Sequence, residues 1–166
     1  MNFPRILKKR KGYIVRIKPF MQKSVVKVLT GQRRVGKSFL LYQLIEEILG
    51  KEPDANIIYI NLEDFAFRSL QTAEDLHSYI ISHSKEKVKN YIFIDEIQDI
   101  PGFEKVIRSL LLNEDNDIYI TGSNAKMLSG ELATYLSGRY IEFKIYSLSY
   151  SEFLEFHGLT ESETSY

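Results

Sequence analysis

The run Gly31-Gln32-Arg33-Arg34-Val35-Gly36-Lys37-Ser38 has the spacing G-x-x-x-x-G-K-S. A loop of this composition can wrap an anion, because glycine at the positions of Gly31 and Gly36 lets successive backbone N–H groups turn inward without a Cβ clash. The first turn of a following helix adds the positive end of its dipole. Lys37 then supplies a mobile point charge for β- and γ-phosphates, and Ser38 a hydroxyl for Mg²⁺. The candidate nucleotide contacts are therefore Gly31, Gln32, Arg33, Arg34, Val35, Gly36, Lys37, Ser38 and Phe39. Arg33 and Arg34 fit three roles, on phosphate, on a partner carboxylate or in water, with solvent as the default.

A second constellation is Tyr91-Ile92-Phe93-Ile94-Asp95-Glu96, an apolar run that ends in two carboxylates. A buried strand does not carry charge without a reason. Beside a phosphate cradle, Asp95 can hold Mg²⁺ with Ser38, and Glu96 can orient and deprotonate an attacking water. No base-reading Asn-Lys-x-Asp motif occurs, so ATP is expected over GTP, and hydrolysis over transfer to a metabolite. Gln98 and Asp99 follow, and a surface turn is expected for both.

A third apolar run, Ile118-Tyr119-Ile120, ends in Thr121-Gly122-Ser123-Asn124. Ser123 can contact the attacking water or the γ-phosphate, with Thr121 and Asn124 beside it, or it can cap the next helix. Arg139, in Ser137-Gly138-Arg139-Tyr140, fits either a phosphate-sensing arginine or an ordinary surface ion pair.

Short apolar runs alternating with amphipathic ones must position these groups. Val25–Leu29, Ile57–Ile60, Tyr91–Ile94, Ile118–Ile120 and Tyr140–Ile145 are expected as five strands of a mainly parallel sheet buried on both sides. Helices are expected over Lys37–Leu49, from Thr72 with Asp75 as a capping box to His83, over Phe103–Leu112 and Ala125–Leu136, and from Ser149 with Glu152 to Gly158. The result is an α/β fold of three layers, αβα. A polar tail from Thr160 offers nothing to pack.

With 166 residues, 44% of them hydrophobic, the chain suits one globular domain, residues 1–166. It has no Cys, which removes disulfides and thiolate metal sites and points to a reducing, cytoplasmic setting. No window has the apolar length of a membrane span. The net charge of +0 conceals an asymmetry, since no Asp or Glu precedes Glu46. Lys8, Lys9, Arg10 and Lys11 lie in a basic entry segment, residues 1–22. The expected reading is a solvated face; contact with DNA or RNA, or with the acidic body of the chain, is the alternative.

Taken together, Thr30 to Ser38, Ile94-Asp95-Glu96-Ile97-Gln98, Thr121 to Asn124, Leu136 to Tyr140 and Tyr146 to Phe153 make the chain resemble the AAA-like P-loop ATPases of bacteria and archaea. In these the ATPase domain usually precedes a nuclease-related domain of unknown function. The resemblance implies ATP binding through Lys37, Mg²⁺ held by Ser38 and Asp95, hydrolysis through Glu96 and sensing near Ser123. It also implies that the chain is the ATPase part of a longer architecture whose lid and second domain lie outside it, in an assembly that can be oligomeric.

Overall fold

The computed structural model describes residues 8–123 and 134–160. Its strands are β1 (Val26–Thr30), β2 (Asn56–Asn61), β3 (Asn90–Asp95), β4 (Asn116–Gly122) and β5 (Tyr140–Lys144). They form one sheet in the order β2-β3-β4-β1-β5, and every pairing is parallel. The helices are α1 (Lys11–Ile17), α2 (Lys37–Leu49), α3 (Ala73–His83), α4 (Phe103–Leu110) and α5 (Tyr150–His157).

The period-two alternation of strand residues builds two cores. Val28, Ile60, Ile92, Ile94, Ile118 and Ile120 meet α3 and α4 through Leu76, Ile80, Val106 and Ile107. Leu29, Phe93, Tyr119 and Phe143 share a second cluster with Leu40, Leu41 and Leu44 of α2 and Ile14 and Ile17 of α1. The sheet is thus the middle of three layers, covered on both faces as a parallel sheet requires. Because all strands run the same way, their carboxyl ends lie together at one edge, where an α/β sheet places its ligands.

Local signals set the helix ends. α2 spans the expected residues and starts at Gly36. Thr72 with Asp75, and Ser149 with Glu152, form the two expected capping boxes, and Gly158 closes α5 in the left-handed region. Of the helix expected over Ala125–Leu136, residues 134–136 are helical; the rest lies outside the described residues, as do Asn124 and the tail beyond Thr160.

Residues 1–22 differ from the expected entry segment, because Lys11–Ile17 is helical and Lys18–Phe20 is a 3₁₀ turn. Gly12 and the β-branched Ile14, Val15 and Ile17 are weak helix formers, and no side chain caps this helix. Burial of Ile14 and Ile17 against α2 overrides local propensity. The basic block is also corrected in part. Lys9 approaches Glu46 at 3.9 Å and Glu47 at 3.6 Å, and Lys18 pairs with Glu47 at 2.6 Å. Arg10 is buried, while Lys8 and Lys11 stay exposed. Part of the block complements the acidic body of its own chain.

At the amino ends of β1 and β4 lies a buried ion pair, Lys27 with Asp117, both side chains fully inaccessible. The Asp117 carboxylate also accepts from the Tyr119 hydroxyl and the Gln22 N–H, each at 2.8 Å. Lys27 donates further to the Val25 carbonyl at 2.8 Å. Each charge is therefore paired and hydrogen-bonded, the condition under which burial is tolerated. No described helix is long and apolar enough to cross a membrane.

Candidate functional site

β1 delivers the chain to Gly31 at the carboxyl edge of the sheet. A Cβ on Gly31 would stand 2.3 Å from the Ile145 carbonyl oxygen, so no other residue fits without displacing β5's continuation. Arg34 (φ 68°) and Gly36 (φ 93°) then take left-handed dihedrals, which turn the loop back on itself before α2. The N–H groups of that helix's first turn have no intrahelical acceptor, and they face the cleft with the helix's positive end.

A cleft of about 390 Å³ is lined by Arg33, Arg34, Gly36, Lys37, Ser38, Phe39, Glu63 and Glu96. Lys37 is buried, and its ammonium donates to the Gly31 and Gln32 carbonyls, each at 3.2 Å. The same ammonium lies 3.3 Å from Glu96 Oε1. Gln32, Arg33 and Arg34 are exposed and Val35 is half-buried. Arg33 pairs with Glu63 across the cleft mouth. Phe39 is half-exposed and meets the Tyr42 ring edge-on at 6.1 Å.

β3 brings Asp95 and Glu96 to the same edge. Asp95 is buried, and Thr121 Oγ1 donates to it. Tyr59 reaches its other oxygen at 3.3 Å. Burial pushes its pKa up, opposed by hydrogen bonds from the Ser38 hydroxyl, Thr121 and Tyr59, while the neighbouring Glu96 charge adds to the rise. Glu96 takes a left-handed conformation (φ 56°), which swings its side chain out of the strand line toward Lys37. Gln98 Nε2 donates to Glu96 Oε2 at 2.7 Å, so the turn expected there also orients the carboxylate. Asp99 is exposed.

β4 runs between β1 and β3, so its polar end stands between cradle and acidic pair. Thr121 is the side chain that ties them: its hydroxyl accepts from the Glu96 N–H at 3.0 Å and donates to Asp95. Ser123 follows Gly122, which pairs with Thr30, and so sits level with Gly31. A hydroxyl directly after an apolar strand run was the signal for both residues, and the strand order separates their positions.

Arg139 is not brought to this site. Tyr140 pairs with Val26, and the Val26 N–H donates to the Arg139 carbonyl at 3.0 Å. Arg139 therefore stands at the amino edge of the sheet. At about 3.3 Å per residue, the length of β1 separates it from Gly31 by well over 10 Å. The parallel register thus places it away from the cradle of its own chain.

Sequence reading missed Glu63, Tyr59 and, above all, Arg10 with Glu152. The Arg10 guanidinium grips Glu152 through two bonds of 2.8 and 3.0 Å. It also donates to the carbonyls of Val35 at 3.1 Å and Tyr146 at 2.9 Å. The bond from Arg10 and the capping contacts of Ser149 hold the Glu152 carboxyl at about 2, against burial. A carboxyl depressed in the folded state adds stability above its unfolded pKa of about 4.3 and loses it as pH falls toward the folded value. Thermal melts from pH 5 down to pH 2.5 are expected to show a steeper loss in the wild type than in Glu152→Gln; parallel curves would refute the assignment.

An uncharacterized protein of Haemophilus influenzae is 43% identical over 152 residues, covering 87% of this chain and 37% of that protein. An uncharacterized protein of Methanocaldococcus jannaschii is 39% identical over 132 residues, covering 79% of this chain and 28% of its own length. The chain thus spans about a third of the curated relatives it matches. Among solved structures, the ORC1 protein of Aeropyrum pernix in complex with DNA superposes with a TM-score of 0.63 at 15% identity, over 93% of this chain and 50% of that one. That likeness shows the fold, a three-layer P-loop arrangement. The AAA domain model matches residues 23–154, from just before β1 into α5, and the chain belongs to that family, a nucleotide-binding module of the P-loop ATPase class.

Proposed function

We propose that this module binds ATP with Mg²⁺ and hydrolyses it, with Lys37 on the β- and γ-phosphates and Glu96 as general base. The observation that carries the reading is that Lys37, Ser38 and Glu96 line one cleft, with Asp95 buried next to Glu96. Glu96 lies 3.3 Å from Lys37, and the Ser38 hydroxyl is near enough to the Asp95 carboxyl to oppose the rise in its pKa. The donor set fits the metal: a neighbouring hydroxyl and carboxylate are hard oxygen ligands of the kind Mg²⁺ takes alongside phosphates and water. When bound, the ion would neutralise charge that builds on the phosphates.

The chain's own groups do the rest. The loop's N–H groups and Lys37 hold the anion, and Thr121 fixes Asp95 and the start of the Glu96 turn. Gln98 holds one Glu96 oxygen, and the other, which pairs with the Lys37 ammonium, meets water once phosphate draws that ammonium away. Ser123, level with the loop, contacts water or the γ-phosphate. Arg139 is exposed and acts, on this reading, on the cradle of a second copy. Turnover drives the further segments carried by the longer relatives, a nuclease-related domain on the resemblance above, in the cytoplasm.

Equilibrium binding tests the reading. With Mg²⁺ present, ATP is expected to bind saturably and more tightly than GTP, and Lys37→Ala is expected to lose at least tenfold in affinity, the scale of one charge-assisted contact. Equal binding by wild type and Lys37→Ala would overturn it.

A further inference from the structure

Arg10 lies outside the phosphate loop, before α1, yet it joins four distant segments. Its backbone N–H donates to Gln43 Oε1 of α2 at 3.0 Å, and Gln43 Nε2 returns a bond to the Lys8 carbonyl at 3.0 Å. Gln43 is buried, so this exchange docks the entry segment on the helix that follows the loop. The side chain then reaches the loop at Val35, the exit of β5 at Tyr146 and Ser147, and α5 at Glu152. The Tyr13 ring lies 4.5 Å beneath it. Only 5% of Arg10 is exposed, so water cannot replace these contacts.

The bond to Val35 is the one with a consequence for ligand binding. A trans peptide is planar, and its C=O and the next N–H point in opposite directions. A guanidinium that pulls the Val35 carbonyl outward therefore turns the Gly36 N–H away from itself. Gly36 lines the cleft and caps α2, where that N–H is a phosphate donor. Without a partner for the carbonyl, this peptide plane could flip at low cost, since Gly36 accepts either hand of φ. The positive charge also polarises the plane and strengthens its N–H as a donor.

We propose that Arg10 is a positioning residue for the nucleotide cradle: it fixes the Val35–Gly36 peptide with its N–H toward phosphate, and Glu152 of α5 holds it there. The assignment rests on the reading of the cleft as a phosphate site. It gives α5 a mechanical line to the loop, so that displacement of α5 would loosen the grip on phosphate.

The test uses the full chain with two variants, Arg10→Lys and Glu152→Ala, each verified as folded by near-ultraviolet circular dichroism. A lysine keeps the charge but not the planar fork that serves Val35, Tyr146 and Glu152 together. In nucleotide-free protein the ¹H–¹⁵N resonance of Gly36 is expected to move in Arg10→Lys, and to move the same way by less in Glu152→Ala. Affinity for Mg²⁺-ATP is expected to fall about tenfold and about threefold respectively. A merely structural arginine would lower the melting temperature and leave both the Gly36 resonance and the affinity of the folded protein unchanged, and that result overturns the proposal. If Arg10→Lys does not fold, Glu152→Ala decides by the same two readouts. Failure of the wild type to bind Mg²⁺-ATP would sink the functional reading instead, while the Gly36 resonance of the nucleotide-free chain still judges Arg10.

Discussion

Glu96→Gln is expected to lower ATP turnover by roughly 10²–10⁴-fold, the contribution of a positioned general base, while raising the affinity for ATP. The two effects have separate causes. Turnover falls because an amide cannot take a proton from water. Affinity rises because the Glu96 carboxylate sits 3.3 Å from the Lys37 ammonium, so an incoming γ-phosphate must compete with it for the same charge. Glutamine fills the same space and keeps an acceptor for Gln98, so the turn is preserved. Steady-state hydrolysis with a parallel binding isotherm checks both. Unchanged turnover would sink the hydrolytic reading and leave a nucleotide switch, a module that holds ATP or ADP and changes partner contacts without consuming it. Lower turnover with weaker binding would mean that Glu96 helps to build the cradle and does not compete with phosphate.

What was legible in the sequence and what was not divides along contact distance. The cradle, the two capping boxes and the strand runs are local: each signal lies within about ten residues, and the structure returns α2 over Lys37–Leu49. The apolar run ending in Asp95-Glu96 was legible for the same reason, since charge at the end of a buried strand stands out against its own neighbours. Arg10 was not. Its partners lie 25, 136, 137 and 142 positions away, and in sequence it is one cation among four. The order of strands was also hidden. Thr121 and Ser123 look alike one after the other, and only the placement of β4 between β1 and β3 sets the first between the acidic pair and the second beside the loop. For Arg139 the end of the sheet follows from its place just before a parallel strand, whereas the distance to any cradle depends on contacts that a Ser-Gly-Arg turn does not encode. α1 was masked by its own poor propensity, which the apolar contacts of Ile14 and Ile17 override.

The largest stability effect is expected far from the cleft, at Asp117. Replacing it with alanine leaves the Lys27 ammonium buried without its counter-ion and takes the acceptor from Tyr119 and Gln22. Removing one partner of such a pair costs about 3–5 kcal/mol, a large share of a stability of roughly 5–15 kcal/mol typical of a domain. Burial already lowers the Lys27 pKa, with Asp117 acting against it, so loss of Asp117 lowers it further. A lysine depressed in the folded state binds fewer protons there than in the unfolded chain, and stability then rises with pH below the unfolded value of about 10.4. The deficit of Asp117→Ala is therefore expected to shrink between pH 7 and pH 9.5 in urea titrations. Lys27→Met with Asp117→Leu removes both charges in similar volume and is expected to recover most of the loss. Recovery stays incomplete, since the Tyr119 hydroxyl and the Gln22 N–H keep no acceptor and each such group costs about 1–3 kcal/mol. A deficit that does not change with pH, or a double variant no better than the single, would show that Lys27 escapes to water once its partner is gone and that the pair is not the strut of β1 and β4.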